Sequence, residues 1–155
     1  MKKVLIALAI VLAFTGCKKE ETPKFPADVQ QVLNTIVGTW ICQDDYNQET
    51  LTFTSFNEPT TIDPISEYVM GIQLFPMSFH GILNRDYEFL GEIEHEERYF
   101  YIDTSKRQIV TYLNNNGKYS VIVANQYDYT IIDQNTIQLH DTDLSLINTH
   151  TYKKQ

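Results

Sequence analysis

The chain has 155 residues, enough for one domain around a single core and too few for two comfortable ones. Its 12 Lys and Arg against 20 Asp and Glu give a net charge of −8, which argues against a nucleic-acid partner, because such binding rests on neutralising phosphates with cations. The acids are scattered rather than blocked, as on a solvated surface and unlike a disordered acidic tail.

Met1-Lys2-Lys3 is a short basic start, and residues 4–14 form an unbroken apolar run of 11. Eleven helical residues span about 16 Å, roughly half a hydrocarbon core, so the run is too short for a stable transmembrane anchor. A charged start, a short apolar stretch and small residues at its end describe a secretory signal peptide. Phe14-Thr15-Gly16-Cys17 resembles the lipobox of bacterial lipoproteins, which are cut before a cysteine that becomes the acylated N-terminus. Phe14 departs from the usual leucine of that motif.

The resemblance implies a signal peptide over residues 1–16, lipid attachment at Cys17, and a mature chain of 139 residues with net side-chain charge −10, since Lys2 and Lys3 are lost. Each buried acyl CH₂ contributes about 0.8 kcal/mol, so two or three chains hold such a protein on a membrane without a spanning segment. Residues 17–26 read as a polar, proline-marked tether. Lys18-Lys19-Glu20-Glu21 looks like the surface-export signal of some outer-membrane lipoproteins and equally like a charged linker. The expected location is the cell envelope, at the outer membrane, with the face left open.

If Cys17 is acylated, Cys42 has no partner for an internal disulfide and is expected as a small buried hydrophobe. Residues 27–37 carry a helical stripe of Val29, Val32, Leu33 and Ile36, with Pro26 at its start and Gly38 at its end.

From Gly38 onward the period changes to two. Trp40 and Cys42 alternate with polar neighbours, as do Leu51 and Phe53. Tyr68, Met70, Ile72 and Leu74 form another such series, and Tyr87, Phe89 and Ile93 the next. Further runs fall at residues 98–103, 108–113, 118–124, 127–132, 136–140 and 147–152, rich in Tyr, Thr, Val, Ile and Phe as half-buried strands are. Turn-forming residues cluster at 44–47, 103–106, 114–117 and 133–135. Residues 58–64, with Pro59 and Pro64, read as a loop, and residues 75–83 as either a loop or a bent strand. Short connections force antiparallel pairing. The expected fold is all-β: an antiparallel meander of eight to ten strands over residues 27–155, closed into a barrel behind a short helix.

A helix followed by Gly38-Thr39-Trp40 resembles the lipocalin-like proteins, whose opening motif is Gly-x-Trp. The C-terminal pattern Tyr129-Thr130-Ile131-Ile132, Thr136-Ile137-Gln138-Leu139 and Tyr152-Lys153-Lys154 is similar to the close of many small exported lipoproteins of this kind. The resemblance implies structural roles for Gly38 and Trp40, the tryptophan packing across the closed end of the barrel. A late arginine usually stacks on that tryptophan. Arg107 comes too early for this, which leaves Lys153 as the stand-in. Asp128-Tyr129 faintly matches a second motif of the family, with Tyr127 replacing its threonine.

Catalytic patterns fail one by one. His95-Glu96-Glu97-Arg98-Tyr99 begins like a zinc-protease motif but has tyrosine at the second ligand position, and its acids read as a solvated hairpin turn. Asp141-Thr142-Asp143-Leu144-Ser145 starts like a calcium loop but lacks the required glycine and glutamate. His140 and His150, facing across the last hairpin, would be two imidazoles without a third ligand. His80 has no recognisable partner, and nothing places a histidine beside Cys42 to activate it. There is no nucleophile elbow and no phosphate loop. The chain is therefore read as a non-enzyme without cofactor or metal.

Two functions remain. In the first, the barrel holds a small apolar or amphipathic ligand against Tyr68, Met70, Phe89, Phe100, Val121 and Leu139. In the second, side chains fill the barrel, and the loops at residues 44–48, 58–65 and 92–97 bind a protein partner or act as an inhibitor.

Overall fold

The computed structural model describes residues 24–44, 48–142 and 148–155. The stretch expected to be a signal peptide, Cys17 and most of the stretch read as a tether lie outside the described residues. Helix α1 (Ala27–Ile36) precedes ten strands: β1 (Gly38–Cys42), β2 (Glu49–Ile62), β3 (Tyr68–Val69), β4 (Ile72–Gln73), β5 (Met77–Phe89), β6 (Glu92–Asp103), β7 (Gln108–Asn115), β8 (Lys118–Asp133), β9 (Thr136–Asp141) and β10 (Asn148–Lys154). Eight of them close in the order β1-β10-β9-β8-β7-β6-β5-β2, every neighbour antiparallel. Closure leaves no unpaired edge in this sheet. β3 and β4 form a separate hairpin inserted between β2 and β5.

Alternation places one face of each strand inside. Leu51, Phe53, Leu83, Phe100, Ile109, Ile137 and Leu139 are fully buried in one core with Trp40 and Tyr152. Phe53 and Phe100 meet edge to face at 5.4 Å. Gly81 makes that packing possible: a Cβ there would sit 2.7 Å from the Phe100 ring and 2.1 Å from the Thr54 carbonyl oxygen.

Helix α1 covers one end of the ring. Its stripe of Val29, Val32, Leu33 and Ile36 is buried against the core, as the spacing predicts. Each such side chain contributes about 1.5–3 kcal/mol, which orders a helix too short to persist alone. The Trp40 indole donates to the Ile36 carbonyl at 2.7 Å, and the Lys154 ammonium donates to the Thr35 carbonyl at 2.9 Å. Thr104 donates to Asp28, tying the helix to the β6–β7 turn. Packing already includes Phe25, within the stretch read as tether, which is buried and contacts the His80 ring edge-on at 5.5 Å.

Outward residues of β6 and β7 build a second, smaller core. Tyr99, Tyr101 and Tyr112 point away from Phe100 and Ile102, and Phe79 and Tyr119 pack among them. The segment after β2 is fastened there: Ile65 N–H donates to the Tyr119 carbonyl and Tyr119 N–H to the Asp63 carbonyl, both at 3.0 Å.

Several local expectations are corrected. Residues 58–62 are strand and not loop. β2 continues through them because its register shifts between Ser55 and Thr60, and Pro59, which cannot donate to a ladder, sits inside that irregularity. The open choice at residues 75–83 resolves into strand from Met77 onward. The run containing Tyr68, Met70 and Ile72 is a hairpin rather than one strand, because Met70 (φ 52°) and Gly71 (φ 81°) form its tight turn. Residues 92–97 belong to strand β6, and the turn before them is Leu90-Gly91 (φ 54° and 85°). Both turns carry a large apolar residue where Asn or Asp is usual, which hid them in the sequence.

Candidate functional site

The half of the interior away from α1 is polar. Glu49, at the start of β2, accepts from the Arg85 guanidinium and from the Tyr152 hydroxyl. Arg85 also lies 3.7 Å from Glu96, and its guanidinium stacks over the Tyr87 ring at 4.4 Å. Glu96 accepts in turn from Arg98 and, at 3.1 Å, from the Tyr87 hydroxyl. Arg98 reaches the Asn125 side-chain oxygen, and the Asn125 amide donates to Asp141. Arg98 is only 3% exposed, and its Nε has no partner among the described residues. Burial pushes the Tyr127 hydroxyl, next to this network, up to about 12. Burial and the Glu49 carboxylate raise Tyr152 as well, so both phenols stay neutral and Tyr152 keeps the proton it donates to Glu49.

Beside this network a cleft of about 700 Å³ opens between residues 41–44 and 48–50 on one side and the β5–β6 hairpin on the other. Cys42, Asp44, Glu49, Asp86, Tyr87 and Ile93 are among its walls. Four carboxylates, those of Asp44, Glu49, Asp86 and Glu88, line it, so its field favours a cation or a basic group over an anion. Cys42 is a buried free thiol, pushed up by burial and by the nearby charges of Asp44 and Glu49; it is poorly suited to nucleophilic work.

The residues predicted to hold a ligand do not converge. Phe100 and Leu139 are buried in the interior, and Val121 is half-buried on β8. Tyr68 and Met70 lie on the β3–β4 hairpin outside the ring, Met70 97% exposed, and Phe89 is exposed at the end of β5. These three do not face inward, because turns at Met70-Gly71 and Leu90-Gly91 interrupt the alternation that suggested it. None of the six lines the cleft.

Gly38 and Trp40 sit at the covered end. Trp40 is fully buried beneath α1, and the cation over its ring is Lys154, not Lys153. Lys154 pairs directly with Trp40 in register, whereas Lys153 pairs with Ile41, projects to the other face and donates to Thr136 at 2.7 Å. His80 does have partners. Its Nδ1 accepts from Ile102 N–H at 3.0 Å, and burial holds the imidazole below its usual range, hence neutral.

His140 and His150 do not face one another. His140 pairs with Thr149 and His150 with Leu139, which sends the two rings to opposite faces. Instead the Asp44 carboxylate accepts from His150 Nδ1 at 2.6 Å and from Cys42 Sγ at 3.7 Å. Sequence reasoning missed this group. Cys42-x-Asp44 and His150-x-Tyr152 become related only through the register that sets Cys42 opposite Tyr152.

No family model, no curated protein and no solved structure matches the chain. Among the described residues no helix is long and apolar enough to cross a membrane.

Proposed function

We propose that this chain is a lipid-anchored envelope protein, tethered at the outer membrane through Cys17, whose lipocalin-like barrel is filled and works through its outer surfaces and acidic cleft. Support for the lipocalin-like reading is the helix before Gly38-Thr39-Trp40, the closed antiparallel ring and a cation over the tryptophan. Lysine in place of the usual arginine is the departure.

The observation that carries the filled-barrel reading is the interior itself. Trp40, Phe53, Phe100 and Tyr152 are all 1% exposed or less, and the Glu49–Arg85–Glu96–Arg98 network lies beyond them toward the other end. A carrier of apolar ligands needs apolar space, and here that volume holds side chains and paired charges. Apolar side chains stand instead on the exterior, with Met70 and Leu90 at two hairpin tips and Tyr68, Ile72, Phe89 and Ile93 beside them. This reading takes them as the surface that meets a partner.

Trp40, the chain's one tryptophan, reports on the interior. Titrating the protein with a fluorescent fatty acid is expected to give no saturable energy transfer from Trp40. Saturable, stoichiometric transfer that Phe100→Ala weakens would return the function to an internal carrier.

A further inference from the structure

β1 ends at Cys42, and β10 brings Tyr152 opposite it. His150 lies two residues before Tyr152, so strand alternation sets it on the same face, level with the chain just beyond β1. Asp44 stands there. One oxygen of its carboxylate takes both the imidazole N–H, at 2.6 Å, and the thiol, at 3.7 Å. One ligating atom from each of the three residues lies within 4.8 Å of the other two.

We propose that Cys42, Asp44 and His150 form a binding site for a divalent transition metal, with Zn²⁺ as the ion their donors fit. One thiolate, one imidazole and one carboxylate are a borderline-soft set that suits zinc rather than calcium or magnesium. Bonds of about 2.0–2.3 Å hold such ligand atoms about 3–4 Å apart, and of the two contacts at Asp44 one, 3.7 Å, falls in that range and the other, 2.6 Å, just below it. Two of the donors sit on hydrogen-bonded neighbouring strands, so little ordering is needed on binding. Cys42 and Asp44 line the cleft, which gives a fourth coordination position access to water or to a further ligand. Asp86 and Glu88 line it too and add negative charge near the site, whereas Glu49 is already paired with Arg85. On loading, the thiol releases its proton to solvent, and the proton that His150 Nδ1 shares with Asp44 leaves by way of solvent while Nε2 carries the remaining imidazole proton, freeing Nδ1 to coordinate. The site does not depend on how the barrel interior is used.

The test is a Co²⁺ titration of the full chain, in detergent, stripped with a chelator and kept reduced by a phosphine. One equivalent should produce thiolate-to-cobalt charge-transfer absorption in the near ultraviolet, discharged by one equivalent of Zn²⁺. Cys42→Ser should remove that absorption. His150→Gln and Asp44→Asn should each weaken binding by at least about tenfold. If Cys42→Ser does not fold, His150→Gln, partly exposed in the structure, carries the test. Absence of the absorption at equimolar cobalt would overturn the proposal. So would its persistence in Cys42→Ser or its indifference to His150→Gln, which would leave an ion pair beside a buried thiol.

Discussion

Lys154 holds its ammonium 5.1 Å from the centre of the Trp40 ring and donates from the same nitrogen to the last turn of α1. One side chain thus joins the first strand, the last strand and the helix that covers their end. Gly38 is part of the same arrangement. Its φ is +129°, and a Cβ there would meet the Lys154 Cε at 2.8 Å. Gly38→Ala is expected to cost about 1–3 kcal/mol, because the backbone conformation disfavours a side chain and Lys154 must move. Lys154→Met keeps the aliphatic stem but loses the cation, at a cost of about 1–2 kcal/mol. Urea denaturation of both variants checks this, and Lys153→Met should be close to neutral.

The charged half of the interior predicts a different pattern. Glu49 is buried and answers both Arg85 and Tyr152. Glu49→Gln leaves the Arg85 charge without its closest partner and should destabilise by about 3 kcal/mol, at the low end for a broken buried pair because Arg85 reaches water. Replacing both partners with Glu49→Leu/Arg85→Met should cost less than the sum of the single changes. Additive losses in a double-mutant cycle would show that the two groups do not act together.

His80 predicts the acid side of the stability profile. Burial lowers its folded-state pKa below the ordinary 6.5, and the Nδ1 lone pair is committed to Ile102 N–H. A depressed histidine contributes stability that is present above its unfolded pKa and lost as pH falls through the folded value. Denaturation midpoints measured from about pH 7.5 down to about 5 should therefore fall, and His80→Asn should flatten that slope while retaining an acceptor for Ile102. An unchanged slope would assign the acid sensitivity to other groups.

Strand alternation made the closed antiparallel ring legible, because a half-buried strand writes its two faces directly into the chain. The helix stripe was legible for the same reason at a different period. Alternation alone did not show where a run reverses. Met70-Gly71 and Leu90-Gly91 turn at residues with no turn chemistry in their first position, so alternation points Tyr68, Met70 and Phe89 toward an interior they do not reach. It also did not show register. Whether Lys153 or Lys154 lies over Trp40 is a shift of one residue, and that shift moves a side chain to the opposite face. The same ignorance of register concealed His150 beside Cys42. The ion network was invisible for another reason. Glu49, Arg85 and Arg98 look like ordinary surface charges, and only ring closure turns them inward together.

The most direct measurement is the native mass of the full chain released gently from membranes. The account predicts a polypeptide that begins at Cys17, carries its acyl groups there and retains no other organic molecule on mild activation, while Cys17→Ser leaves the membrane fraction. An additional lipid-sized mass held by the folded domain, or an uncut and unacylated N-terminus, would contradict it.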